Sequence, residues 1–295
     1  MRIAITGTSG LIGSALARAA AEAGHEVVAL VRRPDAGAGE ASWDPDLGTV
    51  DVDALGGVGA VVHLAGENIG RRWTEAHKRR VLDSRTKGTA AVAGAVAALD
   101  PVPALVCASA IGFYGDRGDE ILTEASPRGS GFLADVVEAW EQAAEPARAA
   151  GARVVHLRNG IVLAREGGAL AKLLTPFRLG GGGRVGSGSQ WWSWVSLEDT
   201  VQAYLHALGH ELEGPVNVTA PDPVTNATFV KALGRALHRP AVLPLPSFAV
   251  KVGLGQMGQE MLLDGQRVLP ARLLDDGFGF AHPTVDDALA AALAR

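Results

Sequence analysis

Apolar residues in the first third of the chain fall into short runs typical of buried strands and into one-sided helical repeats. Residues 2–6 and 27–31 are compact apolar runs, each short enough for a strand. Between them, apolar residues recur at helical spacing from Ile12 to Ala23, and Gly24 is placed to end that helix. The pattern therefore predicts one strand–helix–strand unit of about 30 residues at the start of the chain.

A glycine-rich turn joins the first predicted strand to the helix. Gly7 permits a tight exit from the strand, Gly10 lets the backbone approach a pyrophosphate, and Gly13 allows close packing of helix on strand. The phosphates of a ligand would then meet N–H groups at a helix N-terminus. Placed between a strand and a helix, this turn predicts a dinucleotide site. The residues expected to contact the dinucleotide here are Gly7, Ser9, Gly10, Leu11, Ile12 and Gly13.

The end of the second predicted strand indicates which dinucleotide is bound. NAD sites usually place an acidic residue there to accept from the ribose 2′-hydroxyl. This chain has Arg32 and Arg33 instead, and two guanidinium groups suit a 2′-phosphate. We therefore expect NADP(H) rather than NAD. The alternative is that the two arginines form only a solvated basic turn.

A third apolar run, from Ala60 to Leu64, predicts another buried strand. The small residues Ala65 and Gly66 follow it and fit a loop running beside the cofactor. His63 is expected to be a core or edge histidine at a strand end. No second residue stands at metal-ligand spacing from it, so a metal role is not expected.

The composition narrows the class of protein further. Of 295 residues, 47% are apolar and 20% charged, which excludes wholesale disorder. The net charge of −5 argues against a generally basic nucleic-acid-binding face. Cys107 is the single cysteine, which excludes an internal disulfide and a CxxC metal site. No signal peptide or 18-residue apolar run is present, so we expect a cytoplasmic protein without nucleic-acid or membrane partners. Its oligomeric state stays open.

Several segments resemble the extended short-chain dehydrogenase/reductases, the NAD-dependent epimerase/dehydratase superfamily. The resemblance covers nearly the whole chain. Its general motifs are Thr6 to Gly13, His63 to Gly66 and Ser109 to Gly115. A narrower resemblance is to the YfcH-like, SDR39U-type epimerase family proteins. It rests on residues 64–69, Arg71-Arg72-Trp73, Ser84-Arg85, 176–180, 186–194 and 265–270.

The resemblance implies an α/β fold: a Rossmann-type doubly wound parallel sheet with a smaller, partly helical C-terminal substrate lobe. We expect an NADP-binding domain at 1–165, to which a strand near 216–219 returns, and a substrate lobe at 166–295. The further cofactor contacts implied are Leu64, Ala65, Gly66, Arg85 and Ile161. The substrate-pocket residues implied are Glu67, Gln190 and Trp192. For Arg85 the alternative is a surface salt bridge, and for the tryptophans it is packing.

The chain departs from the superfamily at its catalytic pair, a tyrosine and a lysine one helical turn apart. Phe132 and Val136, or Leu133 and Val137, occupy those places, and neither pair can transfer a proton. Tyr114 is the remaining candidate acid. The tentative catalytic residues are therefore Tyr114 and, as its hydrogen-bonding partner, Ser109. The alternative is that Tyr114 only shapes the pocket.

Two functions fit these observations. The first is an NADP(H)-dependent oxidoreductase or epimerase acting on a small molecule. The second is a cofactor-binding protein without turnover, such as a redox sensor or scaffold. The glycine turn supports both, the missing tyrosine–lysine pair favours the second, and the tryptophan-rich loop at Trp191–Trp194 favours the first.

Overall fold

The computed structural model of the chain describes residues 1–294, whose elements we number β1–β14 and α1–α11. The strands are β1 (Arg2–Thr6), β2 (Glu26–Val31), β3 (Glu40–Asp44), β4 (Thr49–Val50), β5 (Ala60–His63), β6 (Ala104–Ala110), β7 (Ile121–Leu122), β8 (Val154–Asn159), β9 (Ile161–Leu163), β10 (Trp191–Trp192), β11 (Trp194–Ser196), β12 (Gly214–Val218), β13 (Val224–Thr225) and β14 (Arg267–Val268). The helices are α1 (Leu11–Glu22), α2 (Glu75–Ala97), α3 (Phe132–Gln142), α4 (Glu145–Ala149), α5 (Gly168–Arg178), α6 (Leu197–Gly209), α7 (Asn226–Ala236), α8 (Ser247–Leu254), α9 (Gln256–Gly258), α10 (Ala271–Asp275) and α11 (Val285–Ala294).

One eight-stranded sheet has the strand order β12-β8-β6-β5-β1-β2-β3-β4. Strand β1 pairs in parallel with β2 on one side and with β5 on the other. The β5–β6 and β2–β3 pairs are also parallel, and the short β3–β4 ladder is antiparallel. Because the chain winds away from β1 in both directions, the carboxyl ends of β1 and β5 flank a switch point, where ligands of such sheets bind. The predicted α/β doubly wound sheet is confirmed.

Local signals in the sequence set several element ends. The Thr74 side chain caps α2 by accepting the His77 N–H at 3.2 Å. Thr225 caps α7 in the same way, and Thr284 accepts the Asp287 N–H at the start of α11. A threonine oxygen placed here satisfies one of the N–H groups that a helix start leaves without a partner.

The described chain divides into two compact units that interleave along the sequence. Unit 1 comprises residues 1–109, 136–157 and 201–216, and unit 2 comprises 110–135, 158–200 and 217–295, of which residue 295 lies outside the described chain. Strand β12, close to the strand expected near 216–219, lies in the eight-stranded sheet. The domain boundary expected near residue 165 stays a prediction.

Each unit has its own apolar core. In unit 1, valines and leucines of the sheet, such as Val28, Val61 and Leu105, pack against Val92 and Val96 of α2. In unit 2, Trp192, Trp194 and Phe229 are buried together. Their rings remove a large apolar surface from water, and burial of apolar surface is the main favourable contribution to the free energy of folding.

The tryptophan segment does not form one regular strand. It is interrupted at Ser193, so that β10 pairs with β13 while β11 pairs with β9. The Ser193 hydroxyl accepts the Val268 N–H at 2.8 Å and donates to the Gln266 carbonyl at 2.7 Å. These bonds hold the chain in place at the interruption.

Among the described residues, no helix is both long and apolar enough to cross a membrane.

Candidate functional site

The glycine turn adopts the geometry that its sequence predicts. Gly7 has a φ of +71°, a conformation that favours glycine, and a Cβ there would lie 3.0 Å from the Ala65 nitrogen. A Cβ on Gly13 would lie 2.1 Å from the Gly7 carbonyl oxygen. Helix α1 therefore packs against the end of β1 at a distance that a side chain at residue 13 would prevent.

The N-terminus of α1 is left open to a ligand. Gly10 is its N-cap and has no side chain to accept the first N–H groups, and the first turn contains no acidic residue. Those N–H groups lack intrahelical acceptors, and the helix dipole adds partial positive charge at this end. The arrangement suits a phosphate.

A hydroxyl group joins the glycine turn to the loop of residues 64–67 that follows β5, which we call the second cofactor loop. Thr6, at the end of β1, accepts the backbone N–H of Leu64 at 2.9 Å and that of Ala65 at 3.1 Å. Its own proton goes to Nδ1 of His63, 2.9 Å away. Burial lowers the pKa of His63 to about 4, so its ring is neutral near pH 7 and can accept this bond. Of the core and edge positions expected for His63, the structure shows the core position, because the side chain is fully buried.

A cavity of about 510 Å³ opens beside these two loops, entirely within unit 1. The cavity is lined by residues of the glycine turn, of the end of β2 and of the end of β5. The lining residues are Gly7, Thr8, Ser9, Gly10, Leu30, Val31, Arg32, Arg33, Trp43, Pro45, Leu64, Ala65, Gly66, Glu67 and Ser84. Leu11, Ile12 and Gly13 form the adjoining first turn of α1. The fold thus brings together most of the cofactor residues that the sequence predicts.

The two arginines after β2 differ in their surroundings. Arg33 forms an ion pair with Glu40, whose carboxylate also accepts the Gly37 N–H at 2.8 Å. That backbone bond and the Arg33 guanidinium together lower the pKa of Glu40. Arg32 is exposed and has no hydrogen-bond or ion-pair partner within residues 1–294. Of the two, Arg32 is the guanidinium available to a ligand phosphate.

Arg85 does not form the surface salt bridge that was its alternative role. Its Nη1 donates to the carbonyls of Glu67, at 3.1 Å, and Val81, at 3.2 Å. The guanidinium also lies over the Trp140 ring, 4.9 Å from the centroid. A Cβ on Gly66 would approach the guanidinium to 3.5 Å. Arg85 therefore stabilises the second cofactor loop by bonding to its Glu67 carbonyl and packing against Gly66.

The hydroxyl groups of the two tentative catalytic residues, Ser109 and Tyr114, each form hydrogen bonds to other side chains. In unit 1, Ser109 donates to Glu141 at 2.6 Å. In unit 2, the Tyr114 hydroxyl donates to Asn217 at 2.7 Å and accepts from Arg158 at 3.1 Å. Since each hydroxyl has only one proton, the expected bond between these two residues would require one of these bonds to break. The partnership of Ser109 with Tyr114 stays a prediction.

Tyr114 is fully buried, and burial raises the pKa of its phenol despite the opposing charge of Arg158. A Cβ on Gly129 would lie 1.9 Å from the Tyr114 carbonyl oxygen, so the turn that carries the ring is tightly packed. These contacts favour the alternative in which Tyr114 shapes the fold. Its role as an acid stays a prediction.

Three more predicted residues lie in unit 2. Ile161 is half-buried in β9, next to β11. The Gln190 amide donates to the carbonyls of Val185 and Leu262 and so holds the end of a second glycine-rich segment, residues 180–188, in place. Trp192 is 6% exposed and packs on Phe229, and its indole N–H has no partner. The packing alternative describes the Trp192 surroundings. The cofactor contact of Ile161 and the pocket roles of Gln190 and Trp192 stay predictions.

Sequence reasoning missed several residues that build the cavity. Trp43 and Pro45 line it from the β3 end, and Thr6 holds its two loops together. The position of Thr6, at a strand end directly before Gly7, could have indicated that its hydroxyl binds the backbone of a neighbouring loop. Nothing local to Trp43 indicated that it would approach residues 64–67.

Together, the sheet with its switch point, the glycine turn and the open helix terminus define a dinucleotide-binding α/β protein. Comparison with known proteins gives the family. The family model described as "NAD dependent epimerase/dehydratase family" matches residues 3–219, and the chain belongs to that family. A second model, described as a domain of unknown function (DUF1731), matches residues 245–292.

Full-length relatives support this assignment. An epimerase family protein of Mycobacterium leprae is 47% identical, over 99% of this chain and 96% of its own. The human epimerase family protein SDR39U1 is 38% identical over 98% of both chains. A crystal structure of human SDR39U1 (isoform 2) with NADPH matches with a TM-score of 0.89 at 37% identity, covering 100% of this chain and 99% of that one.

Proposed function

We propose that this protein binds NADP(H) in the cavity of unit 1 and acts as an epimerase-family oxidoreductase on a small-molecule substrate. The observation that carries the proposal is Arg32, an unpaired guanidinium on the wall of a cavity that also holds the glycine turn. The solved relative with NADPH supports it. We place this activity in the cytoplasm, without nucleic-acid or membrane partners.

The residues of unit 1 fit such a dinucleotide. The N-terminus of α1 and the backbone of Gly10 would hold the pyrophosphate, and Arg32 would bind the 2′-phosphate. The bound dinucleotide would supply a hydride donor or acceptor. No acidic side chain lies at the end of β2 to repel the phosphate, and Glu40 is neutralised by Arg33.

A cofactor-binding protein without turnover is the second candidate. It is favoured by α3, where Val136 and Val137 are buried in the places that would bear a lysine. The bonding of the Tyr114 hydroxyl also favours it. Oxidation of NADPH, followed by absorbance against a panel of quinones, aldehydes and keto-sugars, separates the two. Turnover on any of them supports the oxidoreductase, and none across the panel with NADPH bound supports the second candidate.

Calorimetry with NADPH and NADH tests the cofactor proposal. We expect NADPH to bind at least about tenfold more tightly, because charge-assisted bonds to the 2′-phosphate contribute about 1.5–3 kcal/mol. Arg32→Ala should remove most of this preference and leave NADH binding unchanged. Arg33→Ala should have a smaller effect, since Arg33 is already paired with Glu40.

Arg79→Ala is the matched control, because it removes an exposed positive charge of α2 that does not line the cavity. Equal affinity for the two dinucleotides, or an Arg32→Ala protein that keeps its preference for NADPH, would contradict the proposal.

A further inference from the structure

Glu67 is the one carboxylate among the residues that line the unit 1 cavity. The other ionisable residues on that wall are Arg32 and Arg33. These lie after β2, whereas Glu67 follows β5. Strands β2 and β5 flank β1 on opposite sides. The negative charge and the positive charges therefore lie on opposite halves of the switch point.

A dinucleotide that crosses a switch point places its two ends on opposite halves. If the 2′-phosphate lies at Arg32, the adenosine occupies the β2 half and the nicotinamide the β5 half. The order of strands thus assigns Glu67 to the nicotinamide half of the cavity. This step depends on the proposed function.

The main chain of Glu67 is held at both of its polar atoms. Its N–H donates to the Ser84 hydroxyl at 3.0 Å, and its carbonyl accepts from Arg85 at 3.1 Å. The carboxylate itself accepts no hydrogen bond within residues 1–294, and 29% of the side chain is exposed. A fixed backbone with a partly exposed carboxylate that accepts no hydrogen bond is the arrangement expected of a ligand-facing group.

Positive and polar groups surround this carboxylate on the protein side. His77 Nδ1 lies 3.8 Å from Glu67 Oε1 and 3.2 Å from Arg80 Nη2. The His77 side chain is 2% exposed, and its Nε2 has no hydrogen-bond partner among residues 1–294. Burial lowers the pKa of Arg85 to about 10, and the charge of Glu67 opposes that decrease, so Arg85 stays positive near neutral pH.

We propose that the Glu67 carboxylate faces the nicotinamide of the bound dinucleotide and favours the oxidised, positively charged ring over the neutral reduced ring. His77 is a positioning residue, since it fills the space behind the carboxylate. A site that stabilises the oxidised ring makes the bound reduced dinucleotide a stronger hydride donor.

The test compares affinities for three probes: NADP⁺, NADPH and 2′,5′-ADP, which lacks the nicotinamide. In Glu67→Gln the ratio of the Kd for NADP⁺ to that for NADPH should rise about 3- to 10-fold, as expected for losing one partly exposed charge near a cation. The affinity for 2′,5′-ADP should not change. Glu67→Asp, which keeps the charge, should restore most of the wild-type ratio.

Glu75→Gln is the matched control, because it removes an 82% exposed carboxylate at the start of α2 that does not line the cavity. Its ratio should equal that of the wild type. His77→Ala should move the ratio in the same direction as Glu67→Gln, by a smaller factor, with 2′,5′-ADP binding intact.

Two results would overturn the inference while leaving the proposed function in place. One is an unchanged ratio in Glu67→Gln with both dinucleotides bound. The other is an equal loss of all three probes, which would make Glu67 a structural residue. Failure of the wild-type protein to bind any probe would instead remove the proposed function, and this inference with it.

Discussion

At the scale of single residues, His63 shows how burial makes one side chain sensitive to pH. The ring is fully buried, its Nδ1 accepts from Thr6, and burial lowers its pKa from 6.5 to about 4. Between these values the unfolded chain binds a proton that the folded protein does not. Folding is therefore favoured above pH 6.5 and loses stability as the pH falls towards 4.

This difference corresponds to about 3 kcal/mol over the whole window, of which about 2 kcal/mol is lost by pH 5. Urea unfolding at pH 7 and pH 5 measures it. The free energy of unfolding should fall by about 2 kcal/mol less in His63→Gln than in the wild type. The exposed His238→Gln serves as control. An equal fall in wild type and His63→Gln would contradict the assignment.

The arginines after β2 illustrate how neighbours divide roles between identical residues. From the sequence alone, Arg32 and Arg33 are equally good candidates for the 2′-phosphate site, because both follow the same strand. In the structure Glu40, which starts β3, pairs with Arg33 and leaves Arg32 uncommitted. The division depends on how the loop of residues 34–39 returns to the sheet, and no local pattern encodes that.

At the scale of elements, helix α3 begins with a cap supplied from far along the chain. The Glu260 carboxylate accepts the N–H of Phe132 at 3.1 Å and that of Leu133 at 2.9 Å. Glu260 lies in the π-helical turn Gln259–Leu263, within the segment that matches the domain of unknown function. This segment therefore stabilises the helix that, in the superfamily, carries the catalytic pair.

Removing this cap should destabilise the protein. Glu260→Ala leaves two N–H groups without acceptors and removes a negative charge from a helix start, which together cost about 1–2 kcal/mol. The urea midpoint should fall accordingly, and Glu260→Gln should lose less because its amide oxygen still accepts. Glu22→Ala, at the exposed end of α1, is the control. A midpoint unchanged in Glu260→Ala would show that the cap contributes nothing.

At the scale of the whole molecule, unit 1 cannot be cut from the chain as a continuous N-terminal piece. It includes residues 201–216, which supply buried Val201, Tyr204 and Leu212. Arg153 donates to the carbonyls of Ala207 and Leu212 within the same unit. A fragment ending at residue 165 loses these contacts and exposes the apolar surface that they cover.

We therefore expect residues 1–165 alone to lack a cooperative thermal transition and to lose NADPH binding, whereas the full chain shows both. Calorimetry and a dinucleotide titration of the two proteins provide the measurement. A fragment 1–165 that unfolds cooperatively and binds NADPH like the full chain would support the sequence-based domain boundary instead.

The sequence alone determined the parts of this protein that depend on near neighbours. The glycine turn, the first strand–helix–strand unit and the threonine caps follow from spacing and from the conformational needs of a few residues. The absence of the tyrosine–lysine pair on α3 is equally a property of the sequence. The turn, the caps and the missing pair are each fixed within about ten residues and the strand–helix–strand unit within about thirty, where local geometry and hydrogen bonding dominate.

Only the tertiary structure decided which distant groups meet. In the tertiary structure Ser109 bonds to Glu141 and Tyr114 bonds to Asn217. The tryptophan segment is interrupted at Ser193, and Glu67 and Arg32 lie on opposite halves of one cavity. These pairings join residues up to about a hundred positions apart. They are chosen by the packing of whole elements, because a buried polar group takes whichever partner the fold brings within reach.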